Sequence, residues 1–195
     1  MTEKIILGID PGTNVMGYAL LRVVDRQPSL IVMGVLALSK IESHYLRLRR
    51  IYDRTIQLIN EYHPDELAIE SPFVGINATS LIKLCRAQGV VMAGAVERDI
   101  PVFEYPPAKV KMSIVGNGNA SKEQVAEMVK RQLHLTDEMF EGQKLDATDA
   151  LAIALTHHYI TSRPTGAMNS GGSKSWKDFV AHNADRVNNP YKKKQ

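Results

Sequence analysis

Cysteine is nearly absent from this 195-residue chain: Cys85 stands alone, so an internal disulfide is excluded. A reducing compartment is the expected setting. Tryptophan occurs once, and aromatic residues make up only 6% of the chain. No apolar run approaches the roughly 18 residues that a membrane-spanning helix needs. The first residues, Met1-Thr2-Glu3-Lys4-Ile5-Ile6-Leu7-Gly8, reach an acid and a glycine too early for a signal peptide. No internal repeat is visible, which sets aside solenoid architectures. These absences leave an ordinary globular chain with no membrane partner, expected in the cytoplasm.

What is present is unevenly charged. The net charge is +3, with 24 basic and 21 acidic residues. From Thr161 onward there are seven basic residues (Arg163, Lys174, Lys177, Arg186 and Lys192 to Lys194) against Asp178 and Asp185. The remainder is therefore slightly acidic, and any nucleic-acid site there must come from local clustering. Residues 163–195 are rich in Gly, Ser, Asn and Lys without an apolar period, which reads as a basic, disordered tail. Residues 1–162 read as one domain.

Along that domain, residues 4–9 form an apolar run ending at Asp10, followed by the turn Pro11-Gly12-Thr13-Asn14. Runs at about 15–24 and 30–38, separated by Asp25 to Ser29, complete an antiparallel meander. Tyr45, Leu48, Tyr52, Ile56 and Ile59 then fall at helical spacing, with Arg47, Arg49, Arg50 and Arg54 mostly opposite. Leu67-Ala68-Ile69 is a short buried strand ending at Glu70. A helix is expected over about 77–98, where Gly89 and Gly94 each cost roughly 1 kcal/mol unless something packs closely against them. Another strand spans 101–105 and stops at Pro106-Pro107, and a Gly/Asn-rich loop leads to Ser121. Ser121 and Gln124 have capping-box spacing. A last helix covers about 145–160. The order β-β-β-α-β-α-β-α-α predicts an α/β fold: a mixed sheet, three antiparallel strands plus parallel ones, flanked by helices.

Two acids end strands, Asp10 and Glu70, and two more, Asp146 and Asp149, are three apart on one helix and share a face. Singly, each has a plainer explanation: a turn cap, a solvated strand edge, a partner for the helix dipole. If the helix meets the strand ends, four carboxylates share a small volume and need a hard divalent cation. Two Mg²⁺ ions roughly 3.5–4 Å apart suit phosphodiester hydrolysis, one activating water and the other stabilising the leaving oxygen. His157 lies on the same face but about 12 Å farther along the axis, too far for that shell, and is expected to be structural. With no Cys/His cluster, a zinc site is not expected.

Gly8-Ile9-Asp10-Pro11-Gly12-Thr13 with Gly17-Tyr18, Ala68-Ile69-Glu70, and Asp146-Ala147-Thr148-Asp149 through Ala154 resemble the signatures of the RuvC family of bacterial Holliday-junction resolvases. The likeness runs in order over about residues 4–160, including Val102 to Tyr105 and Val110-Lys111 to Gly118. It implies a ribonuclease-H-like fold, a homodimer, and Mg²⁺-dependent paired nicking of four-way DNA junctions, with Mn²⁺ able to substitute. The products would carry 5′-phosphate and 3′-hydroxyl ends, and the RuvA–RuvB branch-migration complex would be the partner. By the same likeness Asp10, Glu70, Asp146 and Asp149 are the catalytic, metal-binding acids. Phe73 would stack on junction bases, Lys111 and Lys122 would lie near the scissile phosphate, and the 77–98 helix would help form the dimer interface. The tail from about 163 has no counterpart in the family, and Pro106-Pro107 leaves the local path open.

Other classes remain to be weighed. An Asp-x-Gly turn after a first strand also occurs in actin-like kinases and ATPases, but about 160 residues leave no room for their second domain. A YqgF-type nuclease is a closer rival, although those chains lack the Phe-Glu-Tyr to Lys111 segment in this form. A non-catalytic junction-binding protein would have no need of all four acids.

Overall fold

The computed structural model describes residues 2–72, 75, 77–136, 138 and 145–162. Phe73 and the 163–195 tail, both singled out by the sequence, lie outside the described residues.

The sheet follows from three runs that pair early. β1 (Glu3–Asp10), β2 (Val15–Val24) and β3 (Gln27–Ala37) form the antiparallel meander. β4 (Glu66–Glu70) and β5 (Val102–Tyr105) add in parallel on the other side, giving the order β3-β2-β1-β4-β5. The expected break at 25–29 is shorter than its composition suggests. Asp25 and Arg26 alone make the turn, with φ of 47° and 70°, the geometry that joins twisted strands in two residues. Pro28 sits inside β3, opposite Val23; it is tolerated because β3 is an edge strand.

Alternation along β1 decides which layer each side chain meets. Ile6 belongs to a core shared with α3 (Pro107–Val115), α4 (Lys122–Gln132) and α5 (Leu145–Thr161). Leu7 and Ile9 belong to the opposite core, under α1 (His44–Tyr62) and α2 (Ala78–Val96). A central strand covered on both faces must be apolar throughout, and Ile5 to Ile9 is broken only by Gly8.

Three expectations are corrected. First, Pro106-Pro107 does not lead into a loop: Pro107 opens α3, where its missing N–H costs nothing and its fixed φ suits a first turn. Gly116 closes the helix at φ 78°. Second, the buried stripe of α1 is Ile51, Thr55, Leu58 and Ile59, while Tyr45 is 75% exposed. Two of the arginines expected on its outer side turn inward instead. Arg47 donates to the Ile41 and Thr13 carbonyls and to Asn14 Oδ1. Arg54 lies 4.5 Å over the Tyr18 ring and donates to its hydroxyl. Third, the helix glycines differ. A Cβ at Gly94 would come within 3.1 Å of Ile56 Cδ1 on α1, whereas one at Gly89 meets nothing within 4 Å. The capping box at Ser121 and Gln124 forms as expected.

Candidate active site at the sheet edge

Asp10 shares the Ile6 and Gly8 side of β1, and Glu70 shares the Ala68 side of β4, so both carboxylates face the α3–α4–α5 layer. The approach of α5 to that face is set by absent side chains. A Cβ on Gly8 would lie 2.2 Å from the Ala150 carbonyl oxygen, and one on Gly17 would lie 1.9 Å from that of Asp146. Gly17 is the register partner of Asp10. Two glycines on neighbouring strands therefore seat the start of α5 directly against the end of β1. The sequence singled out these glycines only as part of a pattern. Their packing role needs the helix in place to be seen.

The consequence is convergence. One carboxylate oxygen from each of Asp10, Asp146 and Asp149 lies within 4.8 Å of the others. Glu70 falls outside that set but lines the same cavity of about 180 Å³, together with Asp10, Asp149, Lys111, Lys122 and an apolar wall of Val110 and Val125. α4 brings in Lys122 at its first position. The Lys122 ammonium pairs with Asp149 and lies 3.7 Å from Asp146 Oδ1. Lys111 comes from α3, the helix the sequence did not foresee.

Crowded carboxylates hold their protons more tightly. Burial, then the charges of Glu70, Asp149 and Asp146, push Asp10 well above the ordinary carboxylate range. Burial and Asp149 raise Glu70 to about 7. Asp149 is raised chiefly by burial, against the hydrogen bond from Lys122. Burial works against the charge of Lys122, but its carboxylate neighbours raise its pKa overall. An all-oxygen donor set at this spacing, already holding an ammonium, suits a hard divalent cation.

These shifts fix the direction of the pH dependence. Glu70 binds its proton more tightly folded than unfolded, so the metal-free fold loses stability as pH rises from about 4.5 to about 7. Asp10 and Asp149 act in the same direction. A bound cation favours the ionised carboxylates and reverses the trend. Millimolar Mg²⁺ is therefore expected to raise Tm by several degrees at pH 8 and much less at pH 5.5. Equal shifts at both pH values in thermal melts would mean that the cation does not bind these acids.

His157 lies at the far end of α5 and is fully buried. Its Nδ1 is 2.6 Å from the Tyr105 hydroxyl and its Nε2 2.5 Å from Glu66 Oε2, which also accepts from Lys4 at 2.6 Å. Phe103 packs 4.4 Å from the ring. Burial lowers the His157 pKa, so a neutral ring that donates to Glu66 and accepts from Tyr105 satisfies every partner. This is the structural role expected of it.

Comparison with known proteins gives the same direction. The family model for crossover junction endodeoxyribonuclease RuvC matches residues 6–157. The chain belongs to the RuvC family. A RuvC from Porphyromonas gingivalis is 53% identical over 185 residues, covering 95% of this chain and 97% of that protein. One from Bacteroides fragilis is 55% identical over 185 residues, with 95% and 96% covered. The solved structure of Thermus thermophilus RuvC in complex with a Holliday junction substrate matches with a TM-score of 0.73 and 31% identity. That match covers 81% of this chain and 94% of the other. RuvC relatives thus share the five-stranded mixed sheet with helices on both faces. Because 95% of the chain aligns with the first two relatives, the likeness extends well beyond residue 160, where the sequence offered no counterpart to the tail.

Proposed function

We propose that this RuvC-family chain is a structure-selective DNA endonuclease that resolves Holliday junctions by paired, symmetric phosphodiester hydrolysis in recombination and repair. The observation that carries this is the meeting of Asp10, Asp146 and Asp149, with Glu70 beside them, at one edge of the family's sheet. Asp10, Glu70, Asp146 and Asp149 would hold two Mg²⁺ ions, with Mn²⁺ as a substitute. Bound there, the metal supplies an activated water and stabilisation of the leaving oxygen.

The chain's own residues do the rest. The carboxylates fix the site at the end of a rigid sheet, so the scissile phosphate must come to them. Lys111 and Lys122 stand on one wall of the cavity and offset the charge of the incoming phosphate. Phe73, three residues past Glu70, would stack on a junction base. The Val110 and Val125 wall restricts water on the α3–α4 side. Symmetric nicking needs two sites, and the exposed face of α2, with Ile82 at 52% and Val96 at 63%, offers an apolar surface for a homodimer. The RuvA–RuvB complex is the expected partner. No helix among the described residues is long and apolar enough to cross a membrane, and the cytoplasm is the proposed location. The deciding experiment incubates the protein with a labelled four-way junction, with and without Mg²⁺. Symmetric, Mg²⁺-dependent nicks support the reading; tight binding without cutting would leave a junction-binding protein.

Two further expectations separate the contributions. Lys111→Ala and Lys122→Ala should weaken the reaction through charge, with defects that change with salt. Phe73→Ala should lose roughly 1–3 kcal/mol of stacking, independent of salt and larger on a fully paired junction than on one with unpaired bases at the crossover. Cleavage rates on both junctions at two salt concentrations test this; a Phe73→Ala protein that cuts both at the wild-type rate removes the stacking role. Residues 163–195 are proposed to be a basic tail outside the nuclease domain. Truncation after Arg163 should leave folding and cleavage intact and weaken DNA binding at low salt. A truncated chain that does not fold would make the tail part of the domain.

A further inference from the structure

The site edge has a second wall. β1 and β4 end there, and so do the N-terminal ends of α1 and α2, on the face away from Lys111 and Lys122. Arg47 ties the first turns of α1 to the loop that follows Asp10, through Thr13 O at 2.9 Å and Asn14 Oδ1 at 2.8 Å. α2 begins at Ala78, shortly after Glu70.

This wall is strongly and one-sidedly positive. α2 contains Lys83 and Arg86 and no acidic residue over its full length. Neither α1 nor α2 has an acid in its first turn. Lys83 and Arg86 are both exposed, and neither pairs with a carboxylate among the described residues. Their charges act on His44, the first residue of α1, the helix that packs with α2 on this face of the sheet. Partial burial, then Arg86, Lys83 and Arg47, hold the His44 imidazole below its ordinary range. Its Nε2 is buried and has no hydrogen-bond partner. Exposed, uncompensated cations on an acid-free helix at this edge make a surface that an anion with several acceptor oxygens would complete.

We infer that Lys83 and Arg86 form a second phosphate-binding surface, which holds the sugar–phosphate backbone of a DNA arm on the side of the acids opposite Lys111 and Lys122. The inference rests on the proposed action on junction DNA and adds where the arm is held. The acids repel phosphate on their own. Cations on one wall would draw the strand to that side only, whereas cations on both walls hold it across the carboxylates. Lys83 and Arg86 contribute to affinity and orientation and do not touch the reacting atoms.

The test uses full-length Lys83→Gln/Arg86→Gln protein and a fluorescent synthetic four-way junction, without divalent ions. Each phosphate contact adds about 0.9 to the slope of log affinity against log salt. The double variant removes two such contacts from each protomer of the proposed homodimer and should therefore lose about 3.6 from that slope. Between about 50 and 200 mM salt the wild type should lose on the order of a hundred-fold more affinity than the variant. Sedimentation reports whether the variant stays dimeric. If the Arg86 change alters the oligomer, Lys83→Gln alone decides, with a slope change of about two in the dimer. A variant with wild-type slope and affinity overturns the inference while wild-type junction cleavage still stands. A wild-type protein that neither binds nor cuts the junction overturns the functional reading and this inference together.

Discussion

Asp10→Asn is expected to abolish junction cleavage, by a factor of about a thousand or more, while leaving junction binding intact or slightly tighter. The carboxylate lies against Asp146 and Asp149, and an amide offers a divalent cation a neutral oxygen in place of a charged one. Binding survives because the substitution removes negative charge from the path of a phosphate. The same substitution should stabilise the metal-free protein. Burial and three neighbouring acids raise the Asp10 pKa well above the ordinary range, so its ionised form opposes folding at neutral pH. The neutral amide would carry no such cost, and a Tm several degrees higher is the expected companion of lost activity. Glu70→Gln should behave alike, since its pKa stands at about 7. Asp149→Asn should gain less stability, because it gives up the ion pair with Lys122. Cleavage assays, junction-binding titrations and thermal melts on one preparation test all of this. An Asp10→Asn protein that cuts at the wild-type rate would remove Asp10 from the site.

The reason some of this is legible in the sequence lies in which signals are local. Asp10 and Glu70 stand out because the first ends an apolar run and the second follows an apolar triplet, both at strand length. Asp146 and Asp149 stand out because residues three apart on a helix share a face. The capping box at Ser121 is also local, and it fixes the start of the helix that carries Lys122. α3 is not legible. A double proline at a strand end signals termination, yet the second proline opens a helix, and only the path of the chain beyond it distinguishes the two. The face of α1 misleads for a different reason. Its aromatic and arginine side chains are long enough to reach around the helix, so Arg54 covers Tyr18 while Tyr45 stays in solvent. The closeness of α5 to the sheet is invisible because it depends on what two distant strands lack.

That dependence supports the second large effect. Gly17→Ala is expected to lower cleavage by about a hundred-fold and to destabilise the fold by about 3 kcal/mol, the upper end for overpacking. The added methyl would lie 1.9 Å from the Asp146 carbonyl oxygen, where ordinary contact begins at 3.4 Å. The obstacle is backbone, so no side chain can rotate away and the start of α5 must lift from the sheet. Asp146 and Asp149 move with it, away from Asp10, and a displacement of about 1 Å at a catalytic group can cost on the order of a hundred-fold. Gly8→Ala acts one helical turn on, 2.2 Å from the Ala150 carbonyl oxygen and 2.8 Å from Ala154 Cβ. It should destabilise at least as much. Gly89→Ala is the control, because a Cβ there meets nothing within 4 Å. In a lone subunit it should stabilise by up to about 1 kcal/mol, as alanine does inside a helix. If α2 is the dimer face, Gly89→Ala should instead change the dimer dissociation constant and leave the melting of dilute monomer no worse. Thermal melts, sedimentation and junction cleavage on the three variants separate these outcomes. A Gly17→Ala protein with wild-type stability and wild-type cleavage would show that α5 can be spaced off the strand without disturbing the acids, and the glycines would then have no part in building the site.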